Sequence, residues 1–203
     1  MMVVNKVLII ALALLIPANS VKTILFYGDS ITAGYGLSVE DAYPAHVAEM
    51  LKQKGLDVKV VNAGLSGETS AGGLSRVDWI LRQPIDVFVL ELGGNDGLRG
   101  LPLDQTRSNL QSIIDKVKSK NPDVKIVLAG MMVPPNLGKE YTAEFKNIYP
   151  DLARKNNATL IPFLLEGVGG DDKLNLPDGI HPNVDGHKIV AKTVVGIIEP
   201  LLK

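Results

Sequence analysis

The chain has no cysteine. That excludes disulfides, thiolate zinc sites, a cysteine nucleophile and a lipid-modified cysteine anchor, so any chemistry must come from oxygen and nitrogen groups. It has no excess charge either: Lys+Arg total 21 against Asp+Glu 22, with no dense basic run of the kind a phosphate-backbone binder needs, so nucleic acid is not an expected partner. Aromatic residues are only 5%, too few for a polysaccharide-stacking platform. Histidine occurs three times, which leaves few candidates for a general base. No apolar run reaches the ~20 residues that a bilayer-crossing helix requires. The most apolar stretch is Val7 to Ile16, preceded by Lys6 and followed by Pro17-Ala18-Asn19-Ser20. Charge, short apolar core and a small-x-small end read as a cleaved signal peptide over residues 1–20, leaving a chain that starts near Val21, is exported to the periplasm or secreted, and keeps no stable membrane anchor. The other reading of this segment is an uncleaved N-terminal anchor.

What the chain does have is a hydrophobic content of 46% over 203 residues, enough to bury a core in one domain, residues 21–203. Short apolar runs at 23–27, 58–61, 86–90 and 124–128 read as strands, and the near-continuous Val87 to Leu90 suggests a strand covered on both faces. Longer amphipathic stretches at 42–54, 74–83, 104–120, 141–155 and 185–202 read as helices. In the third, Leu110, Ile113, Ile114 and Val117 fall on one face. Alternation of this kind gives an α/β fold, a parallel central sheet with helices on both sides, and ligands beyond the carboxyl ends of the strands.

Three clusters fall at those ends, and a fourth just before the last helix. The first strand runs into Gly28-Asp29-Ser30, where Ser30 reads as a nucleophile or, equally, as a helix N-cap. The lipase-type G-x-S-x-G elbow is not met, because Thr32 stands where its second glycine would be. The second strand leads into Ser66-Gly67-Glu68-Thr69-Ser70, either a loop with ligand-facing backbone N–H groups or a flexible connection. The third ends in Gly93-Gly94-Asn95-Asp96-Gly97, a turn or an amide donor for an oxyanion. Last comes Asp178-Gly179-Ile180-His181-Pro182-Asn183, in which a carboxylate three residues before an imidazole is close enough to hold Nδ1–H and leave Nε2 as a base. His46 and His187 lie within helices and read as solvated or partly packed. Asp171, Asp172 and Asp185 read as loop or cap residues. No H-x-H or H-x-x-x-H spacing supports a metal site.

Taken together, GDS, SGETS, GGND and DGIHP resemble, in order, the four blocks of the SGNH (GDSL) hydrolase superfamily, and VLELGGNDGLRG and DGIHPN are closest to its bacterial periplasmic thioesterase/arylesterase/lysophospholipase group. The resemblance implies a flavodoxin-like three-layer α/β/α sandwich and no cofactor. It also implies a triad of Ser30, Asp178 and His181, and an oxyanion hole of Ser30 N–H, Gly67 N–H and the Asn95 side chain. Met131, Met132, Val133 and Pro134 lie in the region that in this family closes over an acyl chain. A monomer acting on small acyl esters or thioesters is the expected form. A short-chain carbohydrate O-acetylesterase is the alternative within the superfamily, and a catalytically silent binding module the alternative outside enzymes.

Overall fold

The computed structural model describes residues 21–203, so the signal-peptide expectation lies outside the described residues. Five strands, β1 (Lys22–Gly28), β2 (Val58–Gly64), β3 (Val87–Glu91), β4 (Lys125–Ala129) and β5 (Thr159–Ile161), form one parallel sheet in the order β2-β1-β3-β4-β5. The helices are α1 (Ser30–Ala33), α2 (Tyr43–Gln53), α3 (Ser70–Ile80), α4 (Gly94–Leu98), α5 (Leu103–Lys120), α6 (Lys139–Asn156) and α7 (Val184–Ile198). The chain steps from β1 outward to β2 and then reverses past β1 to β3. Right-handed crossovers therefore put α2 on one face of the sheet and α3, α5 and α6 on the other. α7 returns to pack on α2, and α5 packs on both α3 and α6, giving three layers. The reversal opens a crevice at the carboxyl ends of β1 and β3, where such sheets hold ligands. Among the described residues no helix is long and apolar enough to cross a membrane.

Every residue of β3 is buried, as the unbroken apolar run suggested, and the α5 stripe of Leu110, Ile113, Ile114 and Val117 is fully buried. Three elements differ from the sequence expectation for local reasons. β5 is an edge strand of three residues stopped by Pro162, too short to show as a periodic run. α3 starts four residues before Leu74, because Thr69 caps it by accepting from Gly72 N–H and packing overrides the poor propensity of Gly72 and Gly73. The glycine-rich turn at Gly93 to Gly97 tightens into α4, with Gly93 at φ +105°, a conformation that favours glycine.

His187 is buried rather than solvated. It sits on α7 with its ring stacked parallel to Tyr43, and its Nδ1 accepts the Tyr43 N–H at 3.1 Å. That N–H opens α2, whose cap residue Ala42 has no side-chain acceptor, so His187 supplies the missing partner. Burial, reinforced by the charged forms of His46 and His181, pushes the His187 imidazole from 6.5 down to about 4. A group held neutral in this way contributes stability that is intact above pH 6.5 and lost as pH falls toward 4. The wild type should lose on the order of 3 kcal/mol over that interval. His187→Gln, which takes no proton there, should keep a flatter profile in urea unfolding at stepped pH. Parallel profiles would show that His187 is not the acid-sensitive group.

Candidate active site

The turn after β1 is built by Asp29, not Ser30, as the N-cap: the Asp29 carboxylate accepts from Ile31 N–H at 3.0 Å. Ser30 is thereby the first residue of α1, and its N–H donates to no atom among the described residues. The approach is close enough that a Cβ at Gly28 would overlap Thr32 Oγ1 and the Glu91 carboxyl, so only glycine fits there.

The segment before α7 delivers the imidazole. His181 Nε2 lies 2.9 Å from Ser30 Oγ across 151 residues of sequence, and His181 Nδ1 lies 2.7 Å from Asp178 Oδ2. The other Asp178 oxygen accepts the backbone N–H groups of Ile180 and His181 at 2.9 and 3.0 Å. The His181 N–H, with that of Ile180 and the imidazole itself, holds the Asp178 carboxyl down to about 2 although it is partly exposed. Asp178 therefore stays charged at any pH where an imidazole titrates, and the tautomer with hydrogen on Nδ1 is the one its contact favours. Tyr35, half exposed, lays its ring 4.5 Å from the His181 ring and limits its swing. Behind them, buried Asn175 donates to the Val168 and Asp171 carbonyls, and Asn183 caps α7 through Asp185 N–H and Gly186 N–H.

The loops after β2 and β3 close the other side. Gly67 stands at φ +77°, its carbonyl accepts from Arg99 at 3.0 Å, and its N–H has no acceptor among the described residues. Its neighbour Glu68 is buried and clamped by Arg76, with Nε–Oε1 at 2.6 Å and Nη2–Oε2 at 2.5 Å. Arg76 also donates to the Ala63 carbonyl at 2.7 Å and lies 4.2 Å over the Tyr27 ring. A charge so anchored fixes the Gly67 loop from beneath. Asn95 Nδ2 donates to Asp29 Oδ2 at 3.0 Å and to the Glu68 carbonyl at 3.1 Å, joining the loops of β1, β2 and β3. Asp96 beside it accepts from Ser70 N–H and Ser70 Oγ–H and from Thr106, tying α3 to α5.

Of the residues singled out in the sequence, Ser30, Asp178, His181, Gly67 and Asn95 thus meet at one edge of the sheet. The stretch Met131 to Pro134 splits: Met131 and Val133 are buried, Val133 against the Gly97 turn, while Met132 and Pro134 face outward. Sequence reasoning passed over Glu68, Arg76 and Tyr35. A salt bridge eight residues apart across a loop, and an aromatic 146 positions from the ring it covers, leave no periodic signal. The arrangement can transfer a proton from a hydroxyl to an imidazole and present two free N–H groups to a nascent anion.

The chain is 39% identical over 194 residues to esterase TesA of Pseudomonas aeruginosa, covering 95% of this chain and 96% of that protein. It is 39% identical over 186 residues to thioesterase 1/protease 1/lysophospholipase L1 of Escherichia coli K12, covering 91% and 87%. The crystal structure of TesA superimposes with a TM-score of 0.84 at 39% identity, over 89% of this chain and 99% of that one. The GDSL-like lipase/acylhydrolase model matches residues 26–189, so with this fold and this cluster of blocks at the sheet edge the chain belongs to that family.

Proposed function

We propose that the protein is a serine hydrolase of carboxylic esters that works through an acyl-enzyme on Ser30. The observation that carries this reading is the continuous contact from Ser30 Oγ to His181 Nε2 and from His181 Nδ1 to Asp178. His181 takes the hydroxyl proton as Oγ attacks the acyl carbonyl, and Asp178 holds the imidazole in the tautomer that receives it. The carbonyl oxygen, now an anion, accepts from Ser30 N–H and Gly67 N–H, and Asn95 turns one amide hydrogen toward it from the Glu68 carbonyl. The imidazolium protonates the leaving alcohol or thiol. Water then enters and gives its proton to the same nitrogen as its oxygen bonds to the acyl carbon; the Oγ–acyl bond breaks, the acid leaves, and the imidazolium returns the proton to Ser30 Oγ.

All of these groups belong to one chain, which supports a monomer as the working unit. The apolar segment Val7 to Ile16 supports export to the periplasm or beyond it. The names of the relatives, esterase and thioesterase/lysophospholipase, support acyl esters, acyl thioesters and lysophospholipids as the substrate classes. Exposed Met132 and Pro134 are the members of their segment free to meet an acyl chain.

The test is kcat/KM across p-nitrophenyl esters from acetyl to palmitoyl. Each buried methylene contributes about 0.8 kcal/mol, or roughly fourfold, so a chain held by the protein gives a steep rise over several carbons. A maximum at acetyl that falls with length would instead mark a short-chain or carbohydrate O-acetylesterase.

A further inference from the structure

Glu91 ends β3 with its side chain wholly enclosed, an acid at the close of an apolar strand that the reaction above does not use. Its Oε2 accepts from Asp29 N–H at 3.1 Å and from Thr32 Oγ1 at 2.8 Å. Its Oε1 is buried and meets no donor among the described residues. Among the described residues no Lys or Arg pairs with either oxygen, and an enclosed carboxylate with one bare oxygen and no cation is costly. The Asp29 N–H that reaches Glu91 at 3.1 Å brings a second buried acid beside it, and two neighbouring carboxyls are favourable only when a proton stays on one of them.

The partners of each acid decide which one holds that proton. Burial and the Asp29 charge hold Glu91 well above the usual carboxylate range. Burial raises Asp29 too, but the Ile31 N–H, the side chains of Glu91 and Asn95, and His181 draw it back. The other titratable groups facing Glu91 are Tyr43 on α2 and Tyr149 on α6, both buried and held neutral by that burial.

We propose that Asp29 and Glu91 share a single proton carried by Glu91, and that this buried acid pair positions the Ser30 turn and the Asn95 amide for the reaction. The idea rests on the reading of Ser30 as nucleophile. Its logic is electrostatic. Asp29 Oδ2 is 3.0 Å from Asn95 Nδ2, so a second negative charge behind it would oppose the anion that forms at the same edge. A neutral Glu91 still accepts from Asp29 N–H and Thr32 while adding none. Glu91 is thus a positioning residue, acting through Asp29 on Ser30 at one end and Asn95 at the other.

The experiment compares wild type, Glu91→Gln and Glu91→Ala. In the wild type, a Glu91 that is protonated when folded releases its proton on unfolding above its ordinary value of 4.5. Its stabilising contribution is complete below that value and fades as pH rises toward the folded value. Urea unfolding from pH 5 to 9 should therefore show the unfolding constant of wild type rising relative to that of Glu91→Gln, by up to about tenfold per pH unit. Glu91→Ala should lower kcat by at least about tenfold while KM changes little, and Glu91→Gln, which keeps the acceptor and a hydrogen for Asp29, should restore kcat to within about threefold of wild type. A ratio of unfolding constants that does not move with pH overturns the shared proton. So does Glu91→Gln being as impaired as Glu91→Ala, and a Glu91→Ala variant with wild-type kcat overturns the positioning role. If Glu91→Ala does not fold, the comparison of wild type with Glu91→Gln decides alone. A Ser30→Ala control that still hydrolysed ester would sink the nucleophile reading, whereas the pH course of unfolding would still report on the acid pair.

Discussion

Ser30→Ala should fold like the wild type and lose roughly 10,000- to 1,000,000-fold in kcat toward p-nitrophenyl esters. The expectation of an intact fold comes from the surroundings of Ser30. Among the described residues its hydroxyl is a partner of His181 alone, and the turn is capped by Asp29, so removing Oγ breaks one half-buried contact and no element of the core. The kinetic loss comes from chemistry that no neighbour can replace. Without Oγ there is no acyl-enzyme, and what remains is water attack aided by the anion-stabilising donors. His181→Ala should lose a similar amount, and the double variant should lose little more than either single one, because the two side chains act as one unit. Independent, multiplying losses would mean that the 2.9 Å contact between them is not used in the reaction.

Asn95→Ala is the second large effect, about 100- to 1,000-fold in kcat with KM nearly unchanged, as expected for a donor whose bond strengthens only when the carbonyl becomes an anion. The geometry adds a condition. Both amide hydrogens are engaged at rest, by Asp29 and by the Glu68 carbonyl, so the variant also unties the three loops. A modest fall in melting temperature should accompany the kinetic loss. A variant that is destabilised yet turns over at the wild-type rate would reduce Asn95 to a structural tie.

Much of this was legible in the chain itself. The strand Val87 to Leu90 showed its burial by having no polar break, and the α5 stripe showed its inward face by spacing, because both signals are set by local periodicity. Ser30, Gly67 and Asn95 stood out because each follows a strand of the alternating pattern, and Asp178 and His181 by their three-residue spacing ahead of the last helix; that the five belong to one site was implied by the resemblance to the four family blocks and not by spacing. The supporting shell did not stand out. Asp29 as cap in place of Ser30, the Glu68–Arg76 clamp, Tyr35 over His181 and the outward turn of only Met132 and Pro134 in their segment depend on how distant turns meet. Such contacts have no fixed spacing. Glu91 did leave a trace, an acid directly after four enclosed apolar residues, but without the fold nothing said that Asp29 would lie against it.

The central claim is that Ser30 Oγ is the nucleophile, and stoichiometric titration of the purified protein with a fluorophosphonate ester tests it most directly. Intact mass and peptide mapping should find one phosphonyl group per chain, on Ser30, with ester hydrolysis lost in proportion to labelling. A protein that hydrolyses esters yet stays unlabelled, or carries the label on another residue, would contradict the account.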